Sequence, residues 1–174
     1  DLKTAINQLS QARSALMEEI EANFPDYAEL INPTAPSLAQ ARSVLLPDEA
    51  LLAFFVGRER SFVWVVSKTG APAFIAIELG ADELGGQVDE VRLALAPNAS
   101  TLWDIPPFDL GIAYELYQQL LEPVAPAWWQ KKHLIIVPHR ALGYLPPAVL
   151  PTKEIKVVDK SDTLFSGYRK VRWL

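Results

Sequence analysis

The chain of 174 residues contains no cysteine. That excludes a disulfide framework, a thiolate metal site and a cysteine nucleophile within it. Histidine is almost as scarce: His133 and His139 are the two present, and with no set of carboxylates near them in sequence a zinc site is not expected. Basic residues are the minority charge, since 16 Lys and Arg against 21 Asp and Glu leave a formal net charge of −5. Binding to a nucleic-acid backbone needs clustered cations, so nucleic acid is set aside as a partner. Long hydrophobic runs are missing as well. Those around residues 51–56 and 62–66 fall far short of the roughly 20 residues a membrane helix requires. The first residues are polar and patterned as a helix, unlike a signal peptide, so a cytoplasmic protein with no membrane partner is expected. The glycines form no phosphate-cradling pattern, and no cofactor is expected.

What the chain does have is apolar content. Half of it is hydrophobic and about a fifth charged (21%), enough buried surface for one globular domain or a large piece of a bigger one. Residues 132–150, KHLIIVPHRALGYLPPAVL, organise the rest. Leu134, Ile135, Ile136 and Val137 form a short branched run, the pattern of a strand buried on both faces. Pro138 stops it, having no backbone donor and a fixed φ. A stiff turn follows through His139, Arg140, Gly143, Tyr144 and the pair Pro146 and Pro147. Strand ends of this kind are where α/β folds often carry functional groups.

Along the chain, apolar residues at Leu2, Ala5, Leu9, Ala12 and Leu16 alternate in steps of three and four, with Ile6 and Ile20 widening the stripe, which predicts an amphipathic helix over residues 2–24. Such a helix packs on its own domain or continues an upstream helical array, and both uses stay open. Pro25 ends it, and a short helix over residues 26–31 closes at Asn32 and Pro33. A further short helix over residues 38–45 takes Ser37 as its N-cap.

Three strand-like runs, residues 50–56, 61–67 and 73–79, are joined by connections rich in turn formers, so an antiparallel three-strand meander is expected. Phe54, Phe55 and Val56, then Phe62 to Val66, are apolar without alternation, which predicts that helices cover both sides of the sheet. Helices are expected over residues 84–95, despite Gly85 and Gly86, and over 111–124. A short Ile155-Lys156-Val157-Val158 run and a Ser-Asp-Thr loop follow, and the last residues, Val171, Arg172, Trp173 and Leu174, are largely apolar.

His139 follows an apolar strand as a catalytic histidine would, but the residues favour a structural role, its ring holding the turn by a hydrogen bond to a backbone group. Ser161 and Ser166 sit in no strand-to-helix elbow and have no paired acid. Trp128 and Trp129 are read as core or interface anchors.

Several blocks in order resemble the CHAT family, caspase-like and separase-related bacterial domains usually found behind tetratricopeptide repeats. They are LPDEALLAFFVG at residues 46–57, the apolar residues 62–66, the helix at 116–123, and above all Val137-Pro138-His139, Leu142 and Leu145-Pro146-Pro147-Ala148-Val149-Leu150. The leader at residues 27–33 and 37–41 is similar to the helical segment that precedes these domains. The resemblance implies an α/β fold: a caspase-like half-domain with N-terminal helices, the three-strand meander, flanking helices and a central buried strand. It divides the chain into a helical leader at residues 1–46 and the non-catalytic part of the domain at 47–174. It also implies a cysteine endopeptidase whose His/Cys dyad comes later than residue 174, so that no residue of this chain is catalytic. Pro138, His139, Leu142, Leu145 and Pro146 then serve as the structural signature, while Trp128, Trp129, Val171, Trp173 and Leu174 are candidate interface residues. The implied partners are the catalytic half of the domain, in the same or a separate chain, helical repeats of the tetratricopeptide type, and a protein substrate. A pseudo-protease or adaptor region that binds a regulatory partner is the alternative from a different class.

Overall fold

A computed structural model describes residues 2–31, 35–154 and 166–174. It divides into two compact units, Asp1–Gln40 and Ala41–Leu174. In the first, helix α1 (Leu2–Asn23) packs against helix α2 (Pro25–Ile31). Pro25 cannot continue the hydrogen bonding of α1, whose last turn closes with Phe24 N–H donating to Ile20 O at 2.7 Å. No residue of α1 is buried, and Leu2, Leu9 and Leu16 of its apolar stripe lie exposed.

Ser37 starts helix α3 (Leu38–Val44) with a reciprocal capping box. Its Oγ accepts from Gln40 N–H at 3.2 Å, and Gln40 Oε1 accepts from Ser37 N–H at 2.7 Å. The unit boundary falls inside this helix, earlier than the expected division after residue 46. Its far end belongs to the second unit because Arg42 donates to the Gly70 carbonyl, Lys68 Nζ donates to Ser43 O, and Leu45 is buried.

The second unit is a mixed α/β layer. Strands β1 (Glu49–Val56), β2 (Ser61–Ser67) and β3 (Ala73–Ile77) form the antiparallel meander, and β4 (His133–Val137) joins β1 in parallel, giving the order β3-β2-β1-β4. The second hairpin turns at Gly70, whose φ of 89° is open to glycine and strained for side chains. Helices α4 (Ala81–Leu95), α5 (Leu110–Leu120) and α6 (Ala125–Trp128) connect β3 to β4. Their apolar faces, with Leu84, Val88, Leu116 and Trp128, share one core with Leu52, Val56, Val63 and Val65 of the sheet.

Two expectations are corrected here. The strand at residues 134–137 is not central: β4 is an edge of the sheet among the described residues, with β1 as its neighbour. Nor is it buried on both faces, since Ile135 and Val137 are 42% and 48% exposed. Likewise helices cover one face of the meander and leave Phe55, Trp64 and Phe74 on the other exposed. A continuous apolar run records that both faces of a strand are suited to contact; it carries no information on strand order or on which contacts are made. The expected run at residues 155–158 and the Ser-Asp-Thr loop lie outside the described residues.

Candidate functional site

The end of β4 and the turn after it are held by contacts to β1 that are remote in sequence. β4 begins where Lys132 N–H and His133 N–H both donate to Asp48 O, at 2.9 and 3.2 Å, which sets its register against β1. Pro138 ends the pairing. His139 then folds back over the end of β1: its Nδ1 accepts the backbone N–H of Val56 at 2.9 Å, and its ring stacks on Phe55 with centroids 5.0 Å apart and planes 12° from parallel. Arg140 takes a left-handed φ of 52°, an uncommon conformation for a residue with a side chain, and redirects the chain.

Beyond it, a 3-10 helix at Arg140–Tyr144 and another at Pro147–Val149 fold the turn against the helices. Leu142 and Leu145 are buried and pin the segment in the core, while Pro138 and Pro146 stay exposed. Tyr144 stands out toward solvent with the Arg92 guanidinium 5.0 Å from its ring centre. Between this turn, the inner side of β4 and the end of α5 runs a groove of about 370 Å³, lined by Phe54, Leu134, Ile136, Leu142, Tyr144 and Pro146 among others. Apart from the Tyr144 hydroxyl, no lining side chain is titratable. The groove can seat apolar side chains, and among the described residues the Tyr144 hydroxyl is the one acid on its walls.

The other residues weighed from the sequence lie apart from a common site. His133 is exposed on β4, opposite Glu49. Ser166 opens the 3-10 helix Ser166–Lys170, and Ser161 falls outside the described residues. Among the described residues, no three His, Asp or Glu side chains gather where they could hold a metal ion, and no helix is long and apolar enough to cross a membrane.

Most of the candidate interface residues already have partners within the chain. Trp128 is 4% exposed and donates Nε1–H to Leu121 O at 3.2 Å, so it is a core residue. Val171 is buried. Trp173 bridges Pro151 and meets Phe108 edge-on at 6.0 Å, and Leu174 N–H donates to Leu150 O at 3.0 Å. Trp129 is exposed, with Arg172 over its ring at 5.6 Å. The apolar ending thus packs back on its own unit, a long-range pairing that no local pattern announces.

One titratable group is perturbed within this core. Burial first, and the nearby Glu122 carboxylate second, push the Tyr117 hydroxyl above its ordinary value. Sequence reasoning missed the apolar outer row of the sheet, although its signal was present: Phe55, Trp64 and Phe74 point to one face by the two-residue period of their strands. Comparison with family models, with curated proteins and with solved structures finds no match to this chain.

Proposed function

We propose that the chain is the amino-terminal scaffold of a CHAT-type, caspase-like cysteine endopeptidase domain, in which a His/Cys dyad supplied outside these 174 residues hydrolyses peptide bonds. The observation that carries this reading is the position of β4. The strand with the branched sequence of an interior strand has one neighbour among the described residues, and an open apolar groove runs along its inner side. A sheet edge that is apolar on both faces favours a further strand, because unpaired backbone groups and uncovered side chains are both satisfied by one addition. In such a dyad the imidazole takes the thiol proton and the thiolate attacks the scissile carbonyl. This chain contributes no group to that step. Its part is rigidity: β1 and β4, locked together by the His139 bond to Val56, are the template on which strands bearing the dyad align.

The test pairs the chain with the downstream polypeptide of its parent. A His-Gly after one strand and a Cys after another are expected there. Amide exchange in residues 133–137 should slow at least tenfold when that polypeptide is present, and the completed domain should cleave peptides in a manner abolished by changing the downstream Cys to Ala. Unchanged exchange along β4 overturns the scaffold reading, while slowed exchange without the dyad residues turns it to the non-catalytic adaptor.

A further inference from the structure

β3 is the other edge of the sheet, with β2 as its strand neighbour among the described residues. On the side away from β2, every second residue of such a strand turns its N–H and C=O outward. Among the described residues, no backbone group outside β2 bonds to residues 73–77. Natural edges are kept from pairing by a charge, a proline, a bulge or a covering element. β3 reads Ala73-Phe74-Ile75-Ala76-Ile77, apolar throughout, with Pro72 and Glu78 just outside it and an unbroken register against β2. An apolar edge without such a guard is a template for another strand.

The order of its side chains says which strand fits. Ala73, Ile75 and Ile77 pack against the core, while Phe74 and Ala76 point to the outer face, where Phe74 is 54% exposed. An antiparallel second copy of β3 centred on Ile75 sets Ala73 opposite Ile77, Phe74 opposite Ala76, and Ile75 opposite its own copy. Every bulky side chain but the central one then meets an alanine on the same face. Directly opposed side chains are the unit of sheet stabilisation, and a small residue opposite a large one leaves room for it. β4 offers no such fit, since a copy centred on Ile135 sets Leu134 against Ile136 and His133 against Val137, large against large.

Charge and symmetry agree with this pairing. Glu78 is the one charged residue between Pro72 and Glu78, and it falls opposite Pro72 of the copy, so the two carboxylates stand about 20 Å apart along the strands. No like charges meet. The two-fold axis stands normal to the sheet and keeps the helices of both copies on one side, an isologous contact of the commonest kind. The joint is about 17 Å long and one sheet, about 10 Å, thick. A standard interface takes about 800 Å² from each partner, so this smaller joint makes a reversible, concentration-dependent dimer.

We propose that β3 is a homodimerisation edge, at which two copies of this chain join antiparallel about Ile75 and merge their four-stranded sheets into one. The pairing holds whether or not β4 accepts a further strand. Because the chain has no cysteine, a single introduced thiol reports on one place. Ile75→Cys lies on the axis, where opposed Cα atoms are about 4.5–5.5 Å apart, inside the range of about 4.4–6.8 Å that a disulfide spans. Ala76→Cys is one residue off the axis, and its two copies lie more than about 7 Å apart, outside that range.

The test uses an Ile135→Lys, Val137→Lys background, which disfavours pairing through β4. With diamide as oxidant, Ile75→Cys should form a covalent dimer at least tenfold faster than Ala76→Cys, and Phe74→Cys mixed with Ala76→Cys should cross-link as a facing pair. In the same background, Phe74→Lys with Ala76→Lys sets lysine opposite lysine and should give a monomer in sedimentation. Mixing it with a Phe74→Glu, Ala76→Glu chain should restore a dimer, which separates lost pairing from lost folding. Equal cross-linking rates, or charge variants that stay monomeric when mixed, overturn the proposal. So does protection of the outward-facing amides of β3 in a monomer, which would show that a strand from elsewhere holds the edge.

Discussion

His139 Nδ1 accepts the backbone N–H of Val56 across 83 residues of sequence, tying the turn after β4 to the last residue of β1. Removing the ring leaves a half-buried amide without its acceptor, a loss of about 1–3 kcal/mol, and forfeits the stacking on Phe55, worth about 0.5–1.5 kcal/mol. His139→Phe should lose the first and keep much of the second, so its urea midpoint should lie between those of His139→Ala and the parent chain. A His139→Ala chain within about 0.5 kcal/mol of the parent would show that the ring does not hold the turn.

Gly80 and Gly86 predict opposite signs at the two sides of one helix start. A Cβ on Gly80, the N-cap of α4, would meet the Arg58 carbonyl oxygen, where the β1–β2 turn packs on the helix. Gly80→Ala should therefore destabilise by about 1–3 kcal/mol, the range for forced overpacking. Gly86 lies inside α4 with nothing within 4 Å of an added Cβ. Gly86→Ala should raise stability by about 0.5–1 kcal/mol through helix propensity and a less free unfolded chain. Thermal melts of both variants check the pair, and a destabilised Gly86→Ala would contradict the open surface assigned to that side of α4.

Trp128 and Trp129 are adjacent, identical in type and opposite in environment. Trp128→Ala should cost about 3–5 kcal/mol, since it opens a cavity and removes the donor to Leu121 O. Trp129 is exposed, and Trp129→Ala should cost about 1 kcal/mol or less, mostly the contact with Arg172. Equal losses in a denaturation series would contradict this assignment.

That pair also marks how far the sequence can be read. Local physics carried the helices and hairpins: the three-and-four spacing of α1, the Ser37 cap with Gln40 three residues on, and the turn at Gly70 are all written within a few residues. A hydrogen bond between the His139 ring and a backbone group is present as well, at the turn that a strand stopped by proline leaves behind. The rest is tertiary. Nothing local distinguishes Trp128 from Trp129, since helix phase against a distant sheet decides which is buried. The four apolar residues of β4 read as interior, yet strand order is settled by which edge the crossover reaches. Val171, Trp173 and Leu174 read as candidate interface residues because the partners of the last two, Pro151, Phe108 and Leu150, are remote in sequence.

Tyr117 gives the alkaline behaviour a sign. Burial, then Glu122, hold its hydroxyl above the ordinary 10.0, so the folded state keeps a proton that the unfolded chain gives up sooner. Its contribution is present in full below that value and is lost as pH rises through the folded one. Tyr117→Phe should flatten the fall of melting temperature above pH 10 relative to the parent chain, with little change in that slope near neutrality. Identical slopes above pH 10 would remove Tyr117 as its source.

Ile135 and Val137 together test what the open edge does in the chain alone. Both are exposed on the outer side of β4, which is an edge of the sheet among the described residues. An edge of that kind templates pairing with another chain, and a lysine on it disfavours the pairing by burying charge. The isolated chain should therefore self-associate with concentration in sedimentation, and Ile135→Lys with Val137→Lys should shift it toward monomer. Because both side chains already face solvent, folding stability should change by about 0.5 kcal/mol or less per site. The same double variant, combined with the downstream polypeptide, should lose the protection of β4 amides. A monomeric parent chain at high concentration, with β4 amides left unprotected by the polypeptide, would mean that β4 is a finished edge rather than a joint.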